Sequence, residues 1–152
     1  MTLIEMVRQD LVAFLTHPPK LMFNERDFQV HLCVWLKRSA NSYDEVEVEY
    51  DVPYQELGRD CPWTNEMRLD IVVQKDGEYL PVELKYKTKR IEKNVLRFGE
   101  ALDKVEVVKN QGAQDLGMYD FWKDVRRLEL VRNRFQRVKG GLAVFVTNDP
   151  KY

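Results

Sequence analysis

The chain of 152 residues has little of several things, and each shortage excludes something. It holds two cysteines, Cys33 and Cys61, and two histidines, His17 and His31. None of the four stands at a spacing such as Cys-x-x-Cys, so a Cys/His metal centre is not expected and the cysteines read as reduced thiols. Glycine and proline number seven and six, too few for a low-complexity chain. No apolar run approaches the ~20 residues of a membrane span. The opening MTLIEMVRQDLVAFL carries Glu5 and Asp10 where a signal peptide would be apolar, so neither export nor membrane insertion is expected, and the cytoplasm is. Repeats and linkers are missing too, which leaves one domain over residues 1–152.

Charge of one sign is also lacking. Lys and Arg total 24 against 25 Asp and Glu, a formal net charge of −1. The distribution is uneven, however. Residues 44–51, DEVEVEYD, are acidic, whereas KYKTKRIEKNVLR (85–97) holds six basic residues against Glu92 alone, and residues 123–139 hold seven more. A near-neutral protein with such stretches can hold a phosphate backbone locally, although a solvated helix face is the plainer meaning of any one run.

What is present is 44% apolar and 32% charged residues, a globular composition, and its periodicity orders the chain. Leu3, Ile4, Val7, Leu11, Phe14 and Leu15 recur at helical spacing over 2–15, until Pro18 and Pro19 end the helix. Asn24 N-caps a second helix with Phe28, Leu32, Trp35 and Leu36 on one side. Val46, Val48, Tyr50 and Val52 then alternate with Glu45, Glu47, Glu49 and Asp51, the period of a strand with one buried and one wet face. MRLDIVVQ (67–74) and YLPVELKYK (79–87) read as a hairpin closed by the Asp-Gly turn of KDGE.

Residues 87–113 fit either a short helix and strand or a mobile excursion. From Met118, the positions Phe121, Trp122, Val125, Leu128, Val131 and Phe135 predict a helix of about five turns, with Phe121 and Trp122 in core packing. GGLAVFVTND (140–149) is nearly all apolar, as in a strand buried on both sides. A last strand reached through a long helix implies a crossover that sets it parallel to an earlier strand. The expected fold is therefore α/β, in the order α-α-β-β-β-α-β, with a mixed four-stranded sheet flanked by helices. A final strand buried on both faces would need cover from a homodimer partner or a further C-terminal segment.

Three charged residues stand out on the hairpin. Asp70 sits between Leu69 and Ile71, and Glu83 and Lys85 alternate with Val82, Leu84 and Tyr86. If Val82 and Leu84 face the core, Glu83 and Lys85 share the other face, and the register can bring Asp70 beside them. Carboxylates on adjacent strands repel unless a positive charge sits between them. A divalent cation meets that need, and Mg²⁺ commonly uses one or two carboxylates plus water and phosphate oxygens. Lys85 could then orient the attacking water or neutralise the transition state. A wet strand face with a weak exposed ion pair is the plainer reading, but it explains Asp70 among apolar neighbours poorly.

This constellation, with the order of elements, resembles the PD-(D/E)xK nuclease superfamily and its restriction-endonuclease-like core, over about residues 24–147. The resemblance implies Mg²⁺- or Mn²⁺-dependent hydrolysis of phosphodiester bonds in DNA. It puts Asp70 and Glu83 at the metal-binding acids, with the Leu84 carbonyl completing the ligands, and Lys85 at the catalytic lysine. Glu25, at the head of NERDFQ, looks like the glutamate that members add from the helix before the sheet. Within NQGAQDLGMYDF, Gln114 (or Gln111) and Tyr119 would supply the accessory glutamine and tyrosine.

Backbone contacts to DNA are expected from Lys87, Lys89, Arg90 and Arg126, with Arg127 beside Arg126 if that helix face borders the cleft, although solvated charge is the plainer reading of both. Two departures stand. Leu69 replaces the proline of the superfamily name, and the spacing from Gln114 to Tyr119 is one residue longer than Gln-x-x-x-Tyr. Glu49 and Asp51 are alternative site acids, and Glu25 reads equally as a first-turn acid facing a helix dipole. Asp120 and Asp124 read as surface residues. The alternative to an enzyme is a catalytically inactive nuclease-fold module that binds nucleic acid.

Overall fold

A computed structural model of the chain describes residues 1–59, 61–63 and 65–152. Thr2 and Glu5 form a reciprocal capping box that opens α1 (Leu3–Thr16), satisfying amides that have no partner within the helix. Asn24 does the same for α2 (Glu25–Lys37), accepting the Asp27 amide at 2.8 Å. Leu3, Val7, Leu11 and Phe14 of α1 pack with Phe28, Leu32 and Leu36 of α2 in one core. Truncating a side chain as enclosed as Leu32 to alanine costs about 3 kcal/mol.

The strands follow as β1 (Glu45–Val52), β2 (Met67–Lys75) and β3 (Glu78–Lys87), with a 3-10 turn at Tyr54–Leu57 between the first two. A two-stranded arm, β4 (Ile91–Arg97) and β5 (Glu100–Val108), precedes the long helix α3 (Gln114–Arg134) and the last strand β6 (Leu142–Thr147). The main sheet has the order β1-β2-β3-β6, antiparallel except for the parallel β3–β6 pair that the crossover through α3 creates. It is a mixed α/β architecture. Ile71, Val73, Val82 and Leu84 face the α1–α2 core, while Leu69 and Val72 join Leu128 and Val131 of α3 in a second core. β3 is thus covered on both faces.

Several expectations are corrected. β6 is an edge strand with only Val144 buried, because it has β3 alone for a neighbour, so the reading of a strand buried on both sides does not hold. Residues 87–113 are mostly the β4–β5 arm, a separate two-stranded sheet. Its turn places Phe98 at φ 52 and Gly99 at φ 82, the two positive angles of a tight hairpin turn that Asn-Gly usually supplies. In β1 the alternation breaks at Glu49, where φ is 51, and Val48 lies exposed. Trp122 is 61% exposed and not in the core. Among the described residues no helix is long and apolar enough to cross a membrane.

Candidate active site

The β2–β3 ladder stops at Ile71–Val82. Beyond it the strands part, and side chains take the hydrogen bonds that a neighbouring strand would have made. The Leu84 amide donates to Asp70 Oδ2 at 2.6 Å, the Tyr86 amide to Glu25 Oε2 at 3.0 Å, and the Thr88 amide to Gln111 Oε1 at 3.1 Å. Three of the expected site residues therefore line one free strand edge. In an extended strand the N–H and C=O of one residue point the same way, so the Leu84 carbonyl opens toward the same gap. From the other side, the Asp70 amide donates to Glu83 Oε2 at 3.1 Å.

Glu83 projects toward α3 and is 2% exposed. Arg127 Nη1 lies 3.4 Å from its Oε1 and 3.8 Å from Asp124 Oδ1, and Lys85 Nζ lies 3.2 Å from Asp124 Oδ2. Burial, then the charges of Asp70 and Asp124, push the Glu83 carboxyl up to about 9. The single long contact with Arg127 does not offset them. Glu25 is raised by burial, with the Tyr86 amide and Lys85 opposing, and Asp124 is raised by burial against the pull of Lys85. Burial works against the Lys85 charge, but Asp124 and Glu25 outweigh it and hold the ammonium above the ordinary lysine value. The centre is acidic and short of positive charge.

Gln29, which sequence reasoning did not single out, belongs here, as do Asp124, expected on the surface, and Arg127 rather than Arg126. Gln29 is buried on α2 and donates to Glu49 Oε1 at 3.0 Å and to the Asp70 carbonyl at 2.7 Å, fixing the backbone of the first acid. Asp124 is buried rather than on the surface. Its position continues the spacing Phe121, Asp124, Leu128, Val131, so it falls on the inward stripe of α3, which a close reading of the periodicity could have found. Arg127 faces the acids, whereas Arg126 points outward to Glu129 at 3.3 Å.

Other expected residues stand apart from the acids. Tyr119 is 62% exposed, with the Lys123 ammonium over its ring, so its hydroxyl does not face the site. Gln114 donates to Asp149 at 3.1 Å at the start of α3. Lys89 pairs with Asp149 at 3.7 Å, and Arg90 with Glu92 and Glu106 in the arm. Lys87 ends β3, half-buried. Of the alternative acids, Asp51 is exposed, and Glu49 is bound by Gln29 with Arg26 at 3.9 Å.

Among the described residues no three His, Cys, Asp or Glu side chains converge as a ready-made metal cage. Protein ligation at the Asp70–Glu83 pair would come from two carboxylates and a carbonyl. Those are hard oxygen donors in the number that suits Mg²⁺ or Mn²⁺, whose remaining positions water and phosphate fill. The donor set fits such an ion. Comparisons with protein-family models, with curated proteins and with solved structures find no match to this chain.

Proposed function

We propose that the chain is a metal-dependent nuclease with a restriction-endonuclease-like core, hydrolysing phosphodiester bonds of DNA. One observation carries this reading: Asp70 and Glu83 are joined where β2 and β3 part, with Glu25 on the same strand edge and Lys85 paired with Asp124, which shares Arg127 with Glu83. Asp70, Glu83 and the Leu84 carbonyl would hold Mg²⁺ or Mn²⁺, which when bound polarises a phosphoryl oxygen and lowers the pKa of water.

The chain's own groups supply the rest. Lys85, kept charged by Asp124, offers an ammonium two residues from Glu83 to a phosphate oxygen or to the attacking water. Glu25 accepts a hydrogen bond on one carboxylate oxygen and has the other for water. Lys87 is the cation best placed to meet the backbone, since Lys89, Arg90, Arg126 and Arg127 already have acidic partners.

The test is cleavage of supercoiled and single-stranded circular DNA with Mg²⁺ or Mn²⁺, with EDTA and Glu83→Ala beside the unaltered chain. Metal-dependent nicking that the substitution abolishes supports the assignment. A second reading, a nuclease-fold module that binds nucleic acid without cutting it, draws on the internal partners that Lys85 and Glu83 have in Asp124 and Arg127. Folded protein that retains DNA but cuts none under either metal would favour it.

A further inference from the structure

The acidic centre has a neighbour on the α3 face of the sheet. Tyr50, Leu69, Val72, Tyr79, Val131 and Phe135 enclose a cavity of about 470 Å³. That is within the ~300–1,000 Å³ typical of small-molecule pockets. It is built by well-defined backbone and not by a loose loop. The Tyr79 amide donates to the Arg137 carbonyl at 3.0 Å, the Val138 amide to the Phe135 carbonyl at 3.0 Å, and Tyr79 pairs with Val138, so the chain after α3 is stitched to the start of β3.

Two elements join this cavity to the acids. Leu69 precedes Asp70 on β2, and Val131 lies one turn beyond Arg127 on α3. The cavity therefore adjoins the acids on the α3 face, with Leu69 next to Asp70 and Pro81 two residues before Glu83 on the same face of β3.

The lining selects the ligand by shape and chemistry. Three of the thirteen lining residues, Tyr50, Tyr79 and Phe135, are aromatic, and their rings give a flat π-system a stacking partner that an aliphatic chain does not need. The exposed side chains of Asp51, Gln136 and Arg137 complete the rim with an acceptor, an amide that both donates and accepts, and a guanidinium donor. An apolar, aromatic interior with mixed hydrogen-bonding groups only at the mouth matches a heterocycle whose faces are apolar and whose edge is polar. We propose that the cavity takes an unstacked nucleobase of the strand held at the acidic centre. This rests on the nuclease reading and narrows its substrate to nucleic acid with a base out of its stack, as in single strands, flaps or distorted duplexes.

The test does not depend on cleavage. Uridine, cytidine, adenosine and guanosine are titrated into the full chain, and binding is followed by methyl shifts of Leu69, Val72 and Val131 in NMR spectra of the unaltered protein. Val138→Trp, which fills the cavity, and Tyr79→Ala, which removes a ring, are run beside it, with circular dichroism to check folding. At least one nucleoside should shift those methyls, and each folded variant should bind it about tenfold or more weakly. Absence of shifts, unchanged affinity in the folded variants, or equal binding of cyclohexanol would overturn the proposal and leave the nuclease reading untouched. Nucleoside binding in a chain that cuts no DNA would keep the cavity assignment and remove the nuclease.

Discussion

Asp70 and Glu83 are joined across the gap between β2 and β3: the Asp70 amide donates to Glu83 Oε2 at 3.1 Å, while Asp70 itself accepts the amide of Leu84. These acids therefore do the work of a missing ladder and crowd two carboxyl groups into a buried place. A centre so arranged gains from any cation that enters it.

Cation binding should accordingly be coupled to a proton. With its carboxyl pushed up to about 9, Glu83 is protonated at neutral pH and must release that proton to become a ligand. The affinity for Mn²⁺ should rise by up to about tenfold per pH unit from neutrality toward 9, and calorimetry in buffers of different ionisation enthalpy should register proton release. An affinity that stays flat over that range would contradict the assignment of Glu83 as a ligand.

The same group makes stability depend on pH. The folded chain keeps a proton that the unfolded chain, titrating near 4.5, has already lost, so this contribution is present at low pH and fades as pH climbs from about 4.5 through about 9. Glu83→Gln carries no such group. Its melting temperature should match the unaltered chain near pH 4.5 and exceed it at pH 8 by about 3 °C or more, which is about 1 kcal/mol for a chain of this size. Thermal unfolding at several pH values would decide it, and a variant less stable at pH 8 would contradict it.

Asp124 should matter for stability as well as for charge. Its side chain is 7% exposed and that of Lys85 16%, and removing one partner of so buried a pair leaves the other uncompensated. Asp124→Ala should cost about 3 kcal/mol in urea unfolding. A loss below about 0.5 kcal/mol would return Asp124 to the surface role that the sequence suggested.

Tyr119 provides the opposite expectation. Its exposure and the Lys123 ammonium over its ring predict that Tyr119→Phe leaves DNA cleavage within about twofold. A loss of about tenfold or more would show that the resemblance located the accessory tyrosine correctly despite its longer spacing.

Much of this architecture could be read from periodicity and turn chemistry. Asn24 marked the start of α2, Asp76-Gly77 closed the β2–β3 hairpin with both residues at positive φ, and the long helix forced β6 parallel to β3. The β4–β5 arm was illegible because Phe98-Gly99 is not a dipeptide that announces a turn, and its strands mix charged and apolar residues without a dry face. β6 misled through its composition, since an apolar edge strand and an apolar central strand look alike in one dimension. Asp124 and Gln29 were missed for a shared reason: each is a polar residue on the buried stripe of a helix, explained only by a partner that comes from a distant strand.

The central claim is that Lys85 acts on a substrate held beside Asp70 and Glu83, and one comparison tests it most directly. Nicking of supercoiled DNA in Mg²⁺ is measured for the unaltered chain and for Lys85→Ala, with Mn²⁺ affinity and circular dichroism recorded on both. The account predicts that the substitution lowers the nicking rate about 100-fold or more while the chain stays folded and its Mn²⁺ affinity changes by less than about threefold. Nicking by Lys85→Ala at the rate of the unaltered chain would contradict it.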